Sequence, residues 1–320
     1  MNAGVTVAVV GAPDIAKELG KKGTASDLTL FNTVHDDLAV TLVEPTQFPE
    51  KFPPLLNSLA MADHCLLVVS ELNRPIAETI ATVELTEVPT VVVLGPAVGE
   101  PEVARALKGG RLASAPRVPL DLPKLRDLVE RWRATREEGP VRVPIDHAFP
   151  VKGVGAVALG VVRRGTLRAH DRLRLYPSPK VVEVRSVQVH DVDRQQAETG
   201  ERVGLALKGA EADELYRGQT LAPEGSLSAG ALLSLGALER CRYYRGDAGP
   251  GAQLQLSLGL QVVPATLESI DPSITRVAAD RLVVGTASDR AYLLDLSVPV
   301  GPRLMGRATL TKLEPGATAG

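Results

Sequence analysis

Continuous apolar runs separated by short polar segments organise the first third of the chain. Four such runs are present, at Val5–Val10, Leu38–Val43, Cys65–Ser70 and Thr90–Gly95. Runs of this length are typical of strands that are buried on both faces of a parallel sheet. Segments in which apolar residues recur with helical spacing alternate with them, at residues 55–61, 76–87 and 122–133. The alternation predicts a doubly wound α/β domain over residues 1–136.

The pattern changes beyond a charged segment that contains a Gly-Pro pair, near residues 134–144, which we interpret as a linker. Short runs rich in Val and Leu then follow, separated by glycine, proline or charged turns: Gly155–Val162, Arg172–Tyr176, Val181–Val189 and Val203–Leu207. Many short strands with turn signals predict a small antiparallel β-barrel over residues 137–222. Similar runs continue to residue 296, so we expect a second barrel over residues 223–320.

The first predicted barrel carries a family resemblance. The segments FPVKGVGAVALGVVRRGTLRAHDRL (149–173) and ETGERVGLALKGAEADELYRGQTLA (198–222) resemble, in order and spacing, the second domain of translation GTPases such as elongation factor Tu and the selenocysteine-specific elongation factor. An α/β domain followed by two barrels is also the layout of those factors. The segment ELGKKGTASDLTLFN (18–32) is similar to one in an archaeal factor, related to the selenocysteine-specific one, that was proposed to serve pyrrolysine. The resemblance implies a P-loop-GTPase-like domain followed by translation-factor domains two and three.

The phosphate-binding loop that this resemblance implies is altered. In the motif G-x-x-x-x-G-K-[ST], backbone N–H groups cradle the phosphates and the hydroxyl holds Mg²⁺. Here Gly11 is followed by Ala-Pro-Asp-Ile-Ala-Lys17, without the second glycine. Pro13 lacks a backbone donor, and Asp14 would bring a carboxylate towards the phosphates. We expect Gly11 and Lys17 to be remnants of a nucleotide site.

The other nucleotide-binding motifs of the family are also changed. Glu-Pro-Thr-Gln at residues 44–47 replaces the Asp-x-x-Gly of the second switch, and Gly-Pro-Ala-Val at residues 95–98 replaces the guanine-reading Asn-Lys-x-Asp. Thr24 matches the threonine of the first switch, and Ser114-Ala115 matches the Ser-Ala of the last guanine-contacting loop. We therefore predict a degenerate GTPase domain with no cofactor and impaired or lost GTP binding and hydrolysis. The alternative is a divergent GTP hydrolase that uses GTP or GDP with Mg²⁺.

The resemblance also places candidate tRNA contacts on the first barrel. In elongation factor Tu a shallow pocket of this domain receives the 3′-terminal adenosine and the aminoacyl group of tRNA. The resemblance implies that Glu214 packs against that adenine, with Arg217 nearby in the same turn. Asp146 and His147 match positions near the amino-acid pocket of the selenocysteine-type factors. An ordinary charged turn, in which Arg217 pairs locally, is the alternative interpretation.

A group of arginines on the same barrel could contact phosphates and would make binding depend on salt. The group consists of Arg163, Arg164, Arg168, Arg172 and Arg174. Solvated, outward-facing positions on strands explain the same spacing equally well.

Composition and charge narrow the function classes. The net charge is −2, so RNA contacts would need a local patch, and we expect neither a DNA nor a membrane partner. Cys65 and Cys241 lack the spacing of a zinc site or a disulfide framework, and we expect no metal among the scattered histidines. The start of the chain does not resemble a signal peptide, so we expect a cytoplasmic protein. Nothing long follows the second barrel, so we expect no appended domain that reads an mRNA hairpin.

Three functions are consistent with these observations. The first is a translation elongation factor-like binding protein that contacts the acceptor end of tRNA or the ribosome. The second is an active but divergent GTPase, and the third is a protein–protein interaction module. Nucleotide binding separates the first two, whereas RNA binding and its salt dependence separate the first from the third.

Overall fold

The computed structural model describes residues 3–36 and 38–315 of the 320-residue chain. The chain divides into two compact units: the first contains the segment up to Thr135 together with Val300–Pro302, and the second begins at Arg136 and contains the rest. The predicted domains 1–136 and 223–320 extend over residues 1, 2, 37 and 316–320, which lie outside the described ranges.

A seven-stranded sheet forms the centre of the first unit, in the order β2-β3-β4-β1-β5-β6-β7. Its strands are β1 (Ala3–Val10), β2 (Lys21–Ala25), β3 (Thr29–His35), β4 (Leu38–Glu44), β5 (His64–Val69), β6 (Thr90–Leu94) and β7 (Arg117–Pro119). Strands β4, β1, β5, β6 and β7 are parallel, whereas β2 and β3 add an antiparallel hairpin at one edge. The central apolar strands are buried on both faces, as their continuous runs predict.

Five helices connect these strands: α1 (Ile15–Leu19), α2 (Pro53–Met61), α3 (Arg74–Thr86), α4 (Glu100–Leu107) and α5 (Leu122–Arg131). The side chain of Asn73 begins α3 by accepting a hydrogen bond from Ile76 N at 2.9 Å, and Asp121 begins α5 in the same way. Leu125 of α5 packs into a core formed by β-strand residues such as Val7 and Leu66. None of the helices in the described ranges is long and apolar enough to cross a membrane.

The second unit contains two antiparallel barrels. The strands of the first are β8 (Val143–Val151), β9 (Gly155–Val161), β10 (Thr166–Arg168), β11 (Arg172–Tyr176), β12 (Val181–Val189), β13 (Val192–Arg194), β14 (Gln196–Glu198), β15 (Arg202–Lys208) and β16 (Thr220–Ala222). The main sheet runs β11-β16-β8-β9-β15-β12-β13 and is closed by the β11–β12 pairing. Gly160 allows the close approach of β9 to β8, because a Cβ there would lie 2.4 Å from the carbonyl oxygen of Pro144.

The second barrel follows directly. Its strands are β17 (Ser228–Leu235), β18 (Glu239–Arg240), β19 (Gln253–Leu258), β20 (Gln261–Ile270), β21 (Thr275–Gly285), β22 (Arg290–Leu294) and β23 (Leu304–Glu314), with β17 pairing β23 to close the sheet. Arg142 of the first barrel donates two hydrogen bonds, of 2.9 and 2.8 Å, to the carboxylate of Asp289 in the second. The predicted fold class, a doubly wound domain followed by two small antiparallel barrels, is confirmed.

Candidate functional site

A cleft of about 770 Å³ opens at the carboxyl ends of β1 and β4 in the first unit. Its walls include the β1–α1 loop, the start of β2 and the segment after β4, with Gly11, Lys17, Lys21, Glu44 and Phe48 among the lining residues. Open α/β sheets bind ligands at this edge. The cleft is therefore where a nucleotide would have to lie.

The carboxylate of Glu44 occupies the backbone donors of this cleft. Glu44 is the last residue of β4 and is nearly buried, with 9% exposure. Its Oε1 accepts a hydrogen bond from Ala16 N at 2.8 Å, and the backbone N–H of Asp14 also donates to the carboxylate. Burial raises the pKa of Glu44 above its usual range, although the hydrogen bond from Ala16 offsets part of this effect. The N–H groups that would cradle a phosphate thus bind a side chain of the protein itself.

Gly11 and Lys17 have local roles in the same loop. Gly11 has a φ of +100°, and a Cβ on it would lie 2.3 Å from the carbonyl oxygen of Val68. Close packing against β5 therefore explains why this position is glycine. Lys17 Nζ lies 3.0 Å from Asp14 Oδ1 within the first turns of α1. A carboxylate of the same loop neutralises the lysine charge that a phosphate would otherwise use.

Two other predicted nucleotide contacts lie elsewhere. Thr24 belongs to β2, an edge strand, and is not among the residues that line the cleft. Ser114 and Ala115 precede β7, and Ser114 Oγ donates to Arg111 O at 3.1 Å. Because β7 runs parallel to β6, its start lies at the edge of the sheet opposite Gly11. The structure therefore does not bring Ser114 and Ala115 together with Gly11 and Lys17 in the cleft.

A buried ion pair lies inside the first barrel. The register of β8 against β9 shifts between Ile145 and His147, so the intervening Asp146 is the extra residue of a β-bulge. The Asp146 side chain is fully buried, and its Oδ1 lies 2.7 Å from Nη2 of Arg202 and 2.6 Å from Nδ1 of His147. Arg202, at the start of β15, is separated from Asp146 by 56 positions in sequence. Sequence reasoning found Asp146 and His147 but missed Arg202.

Opposite charges compensate each other in the cluster formed by Asp146, His147 and Arg202. Burial alone would raise the pKa of Asp146, but the Arg202 guanidinium and the His147 ring hold it below its usual range. Burial and the same guanidinium lower the pKa of His190, at the turn between β12 and β13. Asp146 Oδ2 and Arg202 Nε are buried without a hydrogen-bond partner among the described residues. Both atoms therefore keep a capacity for a further polar contact.

Glu214 and Arg217 lie in one turn that rests on this cluster. Glu214 ends a short 3₁₀ helix, Ala212–Glu214, and its carboxylate binds Lys180 Nζ at 2.5 and 2.7 Å. The hydrogen bond from Lys180 lowers the pKa of the exposed Glu214. Arg217 Nε donates to the carbonyl oxygen of Asp146 at 3.1 Å. The structure thus brings the predicted Glu214 turn and the Asp146–His147 strand together.

The arginines of the predicted basic patch make different contacts. Arg168 and Arg172 line a groove of about 610 Å³ that also contains acidic side chains, such as those of Glu137 and Glu198. Arg164 Nε donates to Pro140 O at 3.2 Å, and Arg163 lies beside it in the loop after β9. Arg174 stacks on the Tyr176 ring at 4.7 Å and donates to Ser178 O at 2.9 Å. The described contacts therefore place these arginines in different surroundings: the groove, the loop after β9 and the Tyr176 ring.

Within residues 3–36 and 38–315, no group of three or more His, Cys, Asp or Glu side chains is placed to hold a metal ion.

Comparison with known proteins shows matches over the first barrel and over most of the chain. A family model described as elongation factor Tu domain 2 matches residues 155–222. The uncharacterized protein MJ0325 of Methanocaldococcus jannaschii is 33% identical over 306 residues, which are 95% of this chain and 98% of that protein. The selenocysteine-specific elongation factor of the same organism is 28% identical over 285 residues. These residues are 82% of this chain but 61% of that factor, so this chain spans less than two thirds of its length.

A solved structure of similar fold is the translation elongation factor SelB from Methanococcus maripaludis, in complex with the GTP analogue GppNHp. It matches with a TM-score of 0.84 at 20% identity, over 98% of this chain and 80% of that one. At this identity the match shows a shared fold. Together with the sequence relatives it confirms the resemblance that the barrel motifs predicted.

Proposed function

This chain belongs to a family of elongation-factor homologues that includes MJ0325, and we propose that it binds the acceptor end of a tRNA without using GTP. It acts in the cytoplasm as a translation elongation factor-like binding protein. The α/β unit is a degenerate GTPase domain in this proposal, and the first barrel carries the contact with RNA.

The position of the Glu44 carboxylate carries the proposal that GTP is not used. A phosphate at the start of α1 would have to displace Glu44 from Ala16 N and remain beside both Glu44 and Asp14. Two unit charges of the same sign about 4 Å apart repel by about 4 kcal/mol at the effective dielectric constant of a protein surface. Lys17, already paired with Asp14, offsets part of this repulsion. The uncompensated value corresponds to a weakening of phosphate binding by about three orders of magnitude.

A direct test of nucleotide loss is equilibrium titration with fluorescent GDP and GTP analogues, with and without Mg²⁺. We expect no saturable binding up to about millimolar nucleotide. The variant Glu44→Gln removes one negative charge and keeps an acceptor for Ala16 N, so it serves as a matched control for the repulsion. Mg²⁺-dependent binding by the unsubstituted chain at about micromolar nucleotide would instead support a divergent GTPase.

The cluster beneath the Glu214 turn supports the proposed RNA contact. His147 is its partly exposed member, at 14% for the side chain, whereas Asp146 and Arg202 are buried and fix the imidazole ring. Arg217 ties the Glu214 turn to the same strand. A ring fixed in this way can contact an aminoacyl end at a defined position, because little side-chain entropy is lost on binding.

Binding of charged and uncharged tRNA to the Glu214→Ala variant tests this contact. We expect Glu214→Ala to weaken binding, whereas the matched control Lys180→Ala removes the ion-pair partner and leaves the carboxylate in place. If both variants weaken binding equally, the ion pair shapes the turn and Glu214 does not contact RNA. Binding of a protein from the translation machinery with no binding of tRNA would favour the interaction module.

A further inference from the structure

An exposed tyrosine next to the Glu214 turn lies against an arginine of the second barrel. The guanidinium carbon of Arg281 is 5.8 Å from the centre of the Tyr216 ring, within the range of a cation–π contact. All five tyrosines of the sequence fall in the described ranges, and Tyr216, at 44%, is the exposed one among them. We call this pair the Tyr216–Arg281 platform.

The turn that carries Tyr216 is held rigidly against the second barrel. Gly218 lies so close to Gln261 that a Cβ would be 3.0 Å from its Cγ. The Gln261 amide donates to Val284 O at 2.7 Å and accepts from Val284 N at 2.8 Å, which fixes the supporting strand. Tyr216 N donates to Gln219 Oε1 at 2.9 Å. The tyrosine backbone therefore has a defined position between the two barrels.

A large β-bulge brings Arg281 to this position. Along β17 and β21, Gly230 pairs with Val283, but Leu232 pairs with Ala278. Residues 279–282 of β21 therefore lie opposite a single residue of β17, and the segment bends out of the ladder. Arg281 and Leu282 are exposed on it, and Arg281 Nη2 donates to Val262 O at 3.2 Å. Bulges of this kind redirect side chains towards binding sites.

We propose that the Tyr216–Arg281 platform stacks an unpaired base of the bound RNA. This inference rests on the proposed function, because it places the base beside the RNA end that the Glu214 turn contacts. An exposed aromatic face accepts any base, and a neighbouring guanidinium adds attraction to the π system and to the phosphate backbone. Tyr216 also lies in the same turn as Glu214, so the two contacts form one continuous surface.

The test measures binding of the full chain to two RNA hairpins by fluorescence anisotropy. One hairpin carries a single-stranded 3′ tail, and the other has the same stem with a blunt end. We expect Tyr216→Ala to weaken binding of the tailed hairpin by about fivefold or more, since stacking of one base on an aromatic ring contributes at least about this factor. Tyr216→Phe keeps the ring and is expected to bind as the unsubstituted chain does.

Tyr243 provides the matched control, because it is stacked with Arg242 at 4.4 Å within one loop of the second barrel. Tyr243→Ala is expected to leave the preference for the tailed hairpin unchanged. If Tyr216→Ala binds the tailed hairpin unchanged, or loses the same affinity for both hairpins, the Tyr216–Arg281 platform does not stack a base. The proposed function would not be affected by that result. If the unsubstituted chain binds neither hairpin nor tRNA, the proposed function fails and the platform fails with it.

Discussion

Replacing Arg202 by Met removes the cation that compensates the buried charge of Asp146. The two side chains are 2.7 Å apart, with Asp146 fully buried and Arg202 at 8% exposure, so water cannot take over the role of the guanidinium. Loss of one partner of a buried ion pair costs about 3–5 kcal/mol. For a unit of this size the loss corresponds to a fall in melting temperature of roughly 6–20 °C.

The loss of stability caused by Arg202→Met is expected to depend on pH. In the unsubstituted chain the pKa of Asp146 lies below its usual range, so its contribution to stability is present at neutral pH and is lost only in acid, as pH falls through that lowered value. Without Arg202, only the His147 ring opposes the effect of burial on the pKa of Asp146, so the carboxyl is protonated more easily as pH falls. The destabilisation caused by Arg202→Met should therefore shrink between about pH 7 and about pH 5.

Thermal unfolding followed by far-ultraviolet circular dichroism measures this effect in the barrels, and fluorescence of Trp132, the one tryptophan, reports on the first unit. The double variant Asp146→Asn with Arg202→Met removes both charges of this pair and should recover much of the lost stability. A cost below about 1 kcal/mol for Arg202→Met, with no dependence on pH, would refute the assignment of a buried, compensated charge.

Three further changes test other contacts by thermal unfolding. Gly11→Ala should destabilise the first unit by more than about 1 kcal/mol, because the new Cβ would clash with Val68 O at a positive φ; an unchanged melting temperature would contradict this packing. Glu44→Gln should be neutral or slightly stabilising at neutral pH, because the raised pKa of the carboxyl means that its ionisation costs stability. A marked loss of stability would show that the fold needs the charge of Glu44. Asp289→Asn should lower stability by about 1–3 kcal/mol at neutral pH and by less in acid, because the Arg142 hydrogen bonds hold the pKa of Asp289 low. An unchanged stability would show that the ion pair does not join the barrels.

The apolar runs predicted the central strands well because burial on both faces leaves a strong signal in sequence. Val5–Val10 and Leu38–Val43 fall within β1 and β4 as the structure has them. The hairpin strand β2 was missed because Lys21–Ala25 is an edge strand whose side chains are mostly exposed, so no apolar pattern marks it. The short helix α1 and the polar helix α4 were missed for the same reason.

Side-chain partners across the fold were harder to predict. Asp146 and His147 could be found from their place in a matched motif, but Arg202 reaches them only because β8, β9 and β15 are neighbours in the barrel. The presence of Glu44 at the end of β4 was visible in the sequence. The hydrogen bond that it accepts from Ala16 N could not be predicted, because it depends on how the β1–α1 loop folds back. Contacts between side chains that are far apart in sequence leave no periodic pattern in the sequence around either residue.

Binding of aminoacyl-tRNA in the presence and absence of GTP and Mg²⁺ tests the central claim most directly. Our account predicts saturable binding with the same affinity under both conditions, because it proposes that the Glu44 carboxylate, bonded to Ala16 N, excludes the phosphates and that the barrel binds RNA without nucleotide. Binding that requires GTP and Mg²⁺, or no binding of aminoacyl-tRNA under either condition, would contradict it.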